Sequence, residues 1–270
     1  MCGQCIRQNI TYVNGYGVRY IECSTLTRSS DDKILILLHG IGASAERWLN
    51  IMPNLCEHFR VVVPDIVGFG YSDKPTVEYT MDFFIKFLND FLEQLKIRKT
   101  SIIGSSFGGH LATEFAIRSS AQVDKLVLAA PAGAMRSSTP VLDQYILAAL
   151  YPTTENALRA FSNMAYDPII VTDHTILDFV NRMRLPNAKY AFMSTLLGMK
   201  ESPRLPGRLS KIVSPTLLIW GDNDRMIPLE YSREYEEIPH STFKIINDCG
   251  HTPYVEKPII FSKVISDFLL

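Results

Sequence analysis

The sequence has little net charge, no long hydrophobic run and few cysteines, and each of these absences excludes a class of protein. Its 27 basic and 28 acidic side chains leave a formal net charge of -1, which provides no long-range field for nucleic acid or an anionic membrane surface. The longest aliphatic run, residues 34–38, is too short to cross a bilayer. The amino terminus lacks a charged-then-apolar signal pattern. We therefore expect a cytoplasmic protein, not inserted in a membrane, that binds a small neutral or weakly charged molecule.

The five cysteines (Cys2, Cys5, Cys23, Cys56 and Cys249) are an odd number spread thinly along the chain. That pattern is typical of reduced thiols rather than of a disulfide framework. Cys2-Gly-Gln-Cys5 has the spacing of a redox or metal site, but no second pair accompanies it, so a frayed terminal segment is favoured. Cys249 lies two residues before a histidine and is an alternative nucleophile; without a turn of its own, it is expected to be a small apolar residue near the site.

Strand-like and helix-like patterns alternate along most of the 270 residues. A composition of 47% hydrophobic and 20% charged residues is that of a soluble globular protein, long enough for one large domain with an insertion. Buried strands are predicted at residues 33–38, 60–64, 100–103, 123–130, 216–220 and 242–246, after a hairpin at 10–13 and 18–23. This alternation predicts an α/β fold with a mostly parallel central sheet flanked by helices, whose ligands bind at the carboxyl ends of the strands.

Residues 135–207 break the alternation, because they contain several helical patterns rich in methionine and aromatic residues but no strand-like run. We expect a helical insertion packed over the strand ends, between the core segments 1–134 and 208–270. Two roles are open to its apolar side chains, since most pack the helices together and a minority line a pocket. Met135 and Tyr145 are candidates for substrate binding.

A Gly-x-Ser-x-Gly pattern at residues 104–108 lies between a strand-like run and a helix-like run. A serine at its centre projects from a sharp strand-to-helix turn, and the flanking glycines let neighbouring backbone approach. Ser106 is therefore the predicted nucleophile. A serine hydroxyl needs a base that takes its proton and an acid that orients the base. His251 and an aspartate, Asp224 or Asp222, offer these groups, because their loops also follow predicted strands.

Five motifs follow one another at the predicted strand ends. They are His39-Gly40-Ile41-Gly42, the loop from Asp65 to Pro75, the motif from Gly104 to Gly109, the segment from Trp220 to Pro228, and the segment from Gly250 to Pro258. Together they resemble the α/β-hydrolases, in the branch of esterases and meta-cleavage-product hydrolases, over nearly the whole chain. The resemblance implies the triad order serine, aspartate, histidine and a mobile helical cap at 135–207, inserted after the sixth strand. It selects Asp224 over Asp222, because the family's acid lies four residues before the proline of this loop.

Two backbone N–H groups are expected to bind the oxyanion formed during acyl transfer. The N–H of Phe107 follows the nucleophile, and the second donor comes from the loop after Gly40, either Ile41 or Gly42. His39 is assigned to holding this loop. The remaining histidines are predicted to be surface or structural residues, and they are His58, His110, His174 and His240.

The favoured hypothesis is a cofactor-independent serine hydrolase, a carboxylesterase, that cleaves small carboxylic esters through an acyl-enzyme on Ser106. No metal and no nucleic-acid partner is expected. A perhydrolase or haloperoxidase would use the same triad. A catalytically inactive binding protein of the same fold is the alternative outside the enzymes, because a fold does not determine function.

The enzymatic alternative is hydrolysis of a carbon-carbon bond in a vinylogous diketone acid, which is the reaction implied by resemblance to the meta-cleavage-product hydrolases. That branch carries a carboxylate-binding arginine in the cap region where this chain has Arg182 and Arg184. Both arginines also fit a solvated helix surface. The same branch has asparagine and tryptophan where this chain has Ser105 and Thr252, and this difference favours the esterase.

Overall fold

One eight-stranded sheet organises the chain, which a computed structural model describes over residues 5–24 and 33–270. The strands are β1 (Cys5–Val13), β2 (Tyr16–Ser24), β3 (Ile34–Leu38), β4 (Arg60–Pro64), β5 (Thr100–Ser105), β6 (Val123–Ala129), β7 (Thr216–Gly221) and β8 (Ser241–Ile246). Their spatial order is β1-β2-β4-β3-β5-β6-β7-β8. β2 pairs antiparallel with β1 and with β4, and every pair from β4 to β8 is parallel. The predicted mostly parallel sheet is confirmed.

Helices connect and cover the strands. The α-helices are α1 (Met52–Leu55), α2 (Met81–Gln94), α3 (Phe107–Arg118), α4 (Pro140–Leu150), α5 (Thr154–Met164), α6 (Asp173–Met183), α7 (Ala188–Glu201), α8 (Pro253–Glu256) and α9 (Pro258–Leu269). Within the two described stretches, no helix combines the length and the apolar character that crossing a bilayer requires.

The central strands are continuous aliphatic runs because both faces of the sheet are covered. Side chains alternate between the two faces of a strand. In β3, Ile36 and Leu38 pack into one apolar core with Phe84 of α2, whereas Leu35 and Leu37 pack into a second core on the opposite face. Burial on both faces leaves β3 without polar positions, and this is the physical basis of its aliphatic sequence.

Residues 135–207 lie between β6 and β7 and contain α4 to α7 but no strand. Three of these helices begin after a threonine whose side chain accepts a backbone N–H in the first turn. The capping residues are Thr139, Thr153 and Thr172. Each cap satisfies an N–H that the helix leaves unpaired and contributes about 1 kcal/mol to its stability. The helical character of the segment therefore follows from local sequence.

The cysteines correct the expectation of reduced thiols. Cys23 of β2 and Cys56, which follows α1, form a disulfide between Cα atoms 5.7 Å apart. The fold brings these two segments together across 33 residues, and the odd number and thin spread of the cysteines gave no sign of it. Cys249 is a free, buried thiol. Cys2 and the side chain of Cys5 lie outside the described residues.

Candidate active site

Ser106 lies at the corner between β5 and α3 with backbone angles φ 55° and ψ -120°. A positive φ is strained for a residue with a side chain, and such strain persists where the surrounding structure imposes it. Here the N–H of Ser106 donates to the Ala129 carbonyl at 3.0 Å, and its carbonyl accepts from the Ala132 N–H at 3.0 Å. A Cβ on Gly108 would lie 2.2 Å from the Leu38 carbonyl oxygen. Only glycine therefore lets α3 start this close to β3.

His251 and Asp224 form a buried pair behind this corner. The imidazole Nδ1 lies 2.8 Å from Asp224 Oδ2, and both side chains are almost fully excluded from solvent. The other oxygen, Oδ1, accepts the backbone N–H groups of Met226 and Ile227 at 2.9 and 2.8 Å. These two bonds fix the rotation of the carboxylate. Because a carboxylate only accepts, the contact puts the proton of neutral His251 on Nδ1 and leaves Nε2 as the basic nitrogen.

The two aspartates of this loop have different partners. Asp222 is exposed, and its Oδ1 accepts from the Asn223 side chain at 2.7 Å and from the Cys249 N–H at 3.2 Å. These contacts are those of a turn-forming residue. Asp224 is therefore the aspartate that contacts His251.

Two cavities meet at Ser106. The first, of about 390 Å³, is lined by both Ser106 and His251, and we call it the polar chamber. The second, of about 490 Å³, is called the apolar chamber. Ile41, Ser106 and Met226 line both. A molecule bound with its reacting atom at Ser106 therefore has space on two sides.

The chambers differ in the side chains that line them. Polar and charged residues of the polar chamber include Glu46, Arg47, Asn50, Ser105, Thr172, His174, Thr175, Asp178, Arg182 and Thr252. Apolar residues of the apolar chamber include Phe107, Met135, Leu142, Ile146, Leu196, Met199 and Ile227. Both linings are mixed, because Arg136, Ser137, Ser138 and Lys200 also line the apolar chamber, and Leu49, Phe161, Met164, Ile170, Phe179 and Val255 also line the polar chamber. Of the three residues predicted to bind substrate, Arg182 and Tyr145 line the polar chamber and Met135 lines the apolar chamber.

The loop after β3 passes beside Ser106. A Cβ on Gly40 would lie 3.3 Å from the Cβ and 3.7 Å from the Oγ of Ser106. The Nδ1 of His39 contacts the Gly40 carbonyl at 2.8 Å, and its Nε2 accepts the Ile66 N–H at 3.0 Å. Since Nε2 accepts, Nδ1 carries the proton and donates. Burial lowers the pKa of His39, so the neutral ring holds two backbone groups and has no free nitrogen for proton transfer.

Two side chains from the helices above the site also bind this loop, and the sequence gave no indication of it. The Tyr145 hydroxyl donates to the Ile41 carbonyl at 2.8 Å. Arg182 donates from Nη1 to the Gly42 carbonyl at 2.7 Å and from Nε to Asp178 at 3.0 Å. Arg182 is only 4% exposed, which corrects the solvated-surface interpretation for this residue.

The structure also places four other residues that the sequence analysis named, which are Arg184, His110, His174 and Cys249. Arg184 is exposed and donates to the Pro152 carbonyl at 2.9 Å. His110 is buried in the wall of the apolar chamber, where burial lowers its pKa to about 4, so it is not a surface residue. His174 is exposed and lines the polar chamber. Burial raises the pKa of the Cys249 thiol well above its ordinary value, which keeps it protonated and a poor nucleophile.

Over residues 5–24 and 33–270, no group of three or more histidine, cysteine, aspartate or glutamate side chains is arranged to hold a metal ion.

Comparisons with known proteins agree with this architecture. The model of the alpha/beta hydrolase fold family matches residues 33–258. A 2-hydroxy-6-oxo-6-(2'-aminophenyl)hexa-2,4-dienoic acid hydrolase from Metapseudomonas resinovorans is 30% identical, over 96% of this chain and 90% of that protein. The structure of CumD, a meta-cleavage product hydrolase from Pseudomonas fluorescens IP01, matches with a TM-score of 0.85 and 27% identity, over 97% of each chain. A bacterial membrane phospholipase A matches with a TM-score of 0.86 and 25% identity, over 98% of this chain and 86% of that one. The protein therefore belongs to the alpha/beta hydrolase family.

Proposed function

We propose that this hydrolase cleaves small carboxylic esters through an acyl-enzyme on Ser106. The observation that carries the proposal is the 2.8 Å contact between His251 and Asp224, with His251 and Ser106 lining one cavity. A serine hydroxyl is activated by a histidine base that a carboxylate orients. Here the oriented imidazole lines the same cavity as a serine on a strained turn. No cofactor is needed for this chemistry.

In the proposed reaction, Ser106 Oγ attacks the ester carbonyl carbon while its proton passes to Nε2 of His251. The tetrahedral intermediate collapses, the bond to the alcohol oxygen breaks, and His251 returns the proton to the departing alcohol. Water then attacks the acyl-enzyme with the same base, the acid is released, and Ser106 regains its proton. Asp224 stabilises the imidazolium formed in each half-reaction.

The oxyanion is proposed to bind between the backbone N–H of Phe107 and an N–H of the loop after Gly40. Phe107 is the first residue of α3, so its N–H is one of the four that a helix leaves unpaired at its start. The second donor is Ile41, which lines both chambers, or its neighbour Gly42. Such donors contribute to rate because they are oriented before charge develops.

We further propose that residues 135–207 act as a cap that shapes the substrate pocket, and that residues 1–134 and 208–270 form the core domain. Tyr145 and Arg182 of this segment face the polar chamber, and Met135 faces the apolar chamber. The two chambers would therefore receive the acyl side and the alcohol side of the ester separately.

A second candidate is carbon-carbon bond hydrolysis of a meta-cleavage product. It is favoured by the similarity to CumD, a meta-cleavage product hydrolase, and to the hexadienoic acid hydrolase of Metapseudomonas resinovorans. Arg182 in the polar chamber also favours it, because a guanidinium there could pair with a substrate carboxylate. Against it, two of the guanidinium nitrogens already donate to Asp178 and Gly42. Ser105 and Thr252 also line this chamber. They stand where the meta-cleavage-product hydrolases carry asparagine and tryptophan, and this difference also counts against the second candidate.

The test compares specificity constants on a panel of p-nitrophenyl esters with those on a ring-fission product, using wild-type protein and Ser106→Ala. The proposal expects kcat/KM on the best ester to exceed that on the ring-fission product. A ratio that strongly favours the ring-fission product would make the second candidate the function. Binding of either compound without turnover would indicate a binding protein.

A further inference from the structure

We infer that Tyr145 and Arg182 are positioning residues that hold the oxyanion loop from the helices above it, rather than residues that bind the substrate. The oxyanion loop is defined as residues 40–43. The inference rests on the proposed function, because it assigns the loop as the source of one oxyanion donor. It replaces the role in substrate binding that the sequence suggested for both side chains.

Three consecutive carbonyls of the oxyanion loop are each bound by a different side chain. His39 donates to Gly40 at 2.8 Å, Tyr145 donates to Ile41 at 2.8 Å, and Arg182 donates to Gly42 at 2.7 Å. In a planar trans peptide, the carbonyl of one residue and the N–H of the next point in opposite directions. A donor that fixes the carbonyl therefore also fixes the direction of that N–H.

Each candidate oxyanion donor thus has its own anchor. The N–H of Ile41 shares a peptide plane with the Gly40 carbonyl, which His39 holds. The N–H of Gly42 shares a plane with the Ile41 carbonyl, which Tyr145 holds. Arg182 holds the next plane and so limits rotation at Gly42, whose φ of +69° is one that glycine adopts readily. A backbone bond from the Ala43 N–H to the Gly40 carbonyl at 3.2 Å closes the loop as a turn, and the Tyr145 and Arg182 anchors restrain the next two carbonyls.

The Tyr145 anchor is rigid and remains a donor over the neutral pH range. Its ring is 6% exposed and contacts the rings of Phe161, Phe179 and Phe192 at centroid distances of 5.9, 5.5 and 6.0 Å. Burial raises the pKa of the Tyr145 hydroxyl to about 12, so the phenol keeps its proton. The hydroxyl also lies 3.2 Å from the position of a Cβ on Gly42, which leaves little room for the loop to move.

The Arg182 anchor is aligned by a chain of contacts that returns to the core of the protein. Asp178 accepts from Arg182 at 3.0 Å through one oxygen and from the Tyr71 hydroxyl at 2.9 Å through the other. Tyr71 lies in the loop after β4, and its N–H donates to Asp65 at 2.8 Å. The guanidinium is therefore held on both sides.

The Tyr145 and Arg182 contacts join residues 104 and 140 positions apart in the sequence. The loop is therefore fully anchored only while α4 and α6 are packed over it.

A positioning role and a substrate contact predict different kinetics. An anchor acts on the orientation of the donors, which matters most when the carbonyl oxygen becomes an oxyanion, so its loss lowers kcat. A ground-state substrate contact acts on binding, so its loss raises KM while kcat stays the same. The side chains of Tyr145 and Arg182 donate to backbone carbonyls of the loop. We therefore expect the loss of either side chain to lower kcat and to leave KM nearly unchanged.

The test replaces Tyr145 by phenylalanine and Arg182 by glutamine, with Tyr151→Phe and Arg159→Gln as matched controls on exposed positions of the same segment. On the best p-nitrophenyl ester, Tyr145→Phe and Arg182→Gln are expected to lower kcat by roughly 10- to 100-fold with KM changed by less than about threefold. Affinity for a trifluoromethyl ketone, which forms a tetrahedral adduct with the serine, should fall in parallel with kcat/KM. The controls should match wild type. A raised KM with unchanged kcat, or no effect, would overturn the inference.

A second measurement does not depend on esterase activity. Hydrogen-deuterium exchange of a peptide that covers residues 40–45 is expected to be faster in Tyr145→Phe and Arg182→Gln than in wild type and in the two controls. Unchanged exchange would overturn the inference even for an active enzyme. Faster exchange in a protein that cleaves no ester would support the anchoring and reject the proposed function, so the two failures are distinguishable.

Discussion

Asp224 holds His251 through one carboxylate oxygen at 2.8 Å while its other oxygen accepts two backbone N–H groups. The orientation of the His251 imidazole is thus determined by the backbone of the loop after β7. Asp222, two residues earlier, is tied instead to Asn223 and Cys249. The pair therefore allows a direct test of which aspartate supports catalysis.

Replacing Asp224 by asparagine is expected to lower kcat on an ester by on the order of 10³- to 10⁴-fold, because the amide presents a donor to Nδ1 or leaves it unpaired and the wrong tautomer results. Asp222→Asn changes charge by the same amount in the same loop and should stay within about fivefold of wild type. Steady-state kinetics with both variants checks this. A larger loss for Asp222→Asn would exchange the two roles.

Replacing Gly42 by alanine is expected to lower kcat, in addition to the loss of stability that any side chain at this backbone conformation would cause. The new Cβ would lie 3.1 Å from the Phe192 ring at a φ of +69°, and both effects shift the oxyanion loop. Gly15→Ala is the matched control, since its φ is +83° with no atom within 4 Å of the Cβ. Each change should cost about 1 to 2 kcal/mol of backbone strain, whereas only Gly42→Ala should lower kcat, by about tenfold or more. Equal kcat in the two variants would argue against a catalytic role for this loop.

Replacing Cys249 by alanine is expected to leave kcat within about threefold of wild type, because a buried, protonated thiol takes no part in acyl transfer. Burial raises the pKa of this thiol, so iodoacetamide at pH 8 should not alkylate it in the folded protein. Mass spectrometry of native and denatured protein, with kinetics of the variant, provides the test. Loss of turnover in a stable Cys249→Ala variant would reopen the thiol as nucleophile.

Replacing Arg208 by glutamine is expected to destabilise the fold by about 3 kcal/mol at pH 7, the lower end of the range for breaking a buried pair, since the buried Glu114 charge keeps only the Arg118 contact at 3.2 Å. The Arg208 guanidinium binds Glu114 through two bonds of 2.6 and 2.8 Å, and the Glu114 side chain is fully buried. Lys99→Gln, which breaks an exposed pair with Asp124, is the control and should cost less than about 1 kcal/mol.

The effect of Arg208→Gln should depend on pH with a defined sign. Burial raises the pKa of Glu114, but the hydrogen bond and charge of Arg208, together with the charges of His110 and Arg118, outweigh it, so the pKa lies below its ordinary value. The stabilisation from this pair is complete above the pKa of the unfolded chain and is lost as the pH falls through the folded-state pKa. The difference in unfolding free energy between wild type and variant should therefore be largest near pH 7 and smaller below about pH 4. A difference that is constant with pH would exclude this origin.

The fold could be predicted because its signals are local. β4 occupies the five residues expected from one aliphatic run, Arg60–Pro64, and Ser106 follows β5 at the predicted corner. The catalytic candidates could be named because loops after parallel strands share one edge of the sheet. The anchors of the oxyanion loop could not be predicted, because Tyr145 and Arg182 reach it only through the packing of α4 and α6 over the sheet. The disulfide between Cys23 and Cys56 could not be predicted either, because only the folded chain brings β2 beside the residue after α1.

The most direct measurement of the central proposal is labelling with a fluorophosphonate probe alongside turnover of a short-chain chromogenic ester, in wild type and in Ser106→Ala. Peptide mapping identifies the labelled residue, and a thermal melt establishes that the variant is folded. We predict that wild type is labelled at Ser106 and turns over the ester, and that Ser106→Ala is unlabelled with activity reduced by on the order of 10³-fold or more. A wild-type protein that neither labels nor turns over, or a Ser106→Ala variant that keeps full activity, would contradict it.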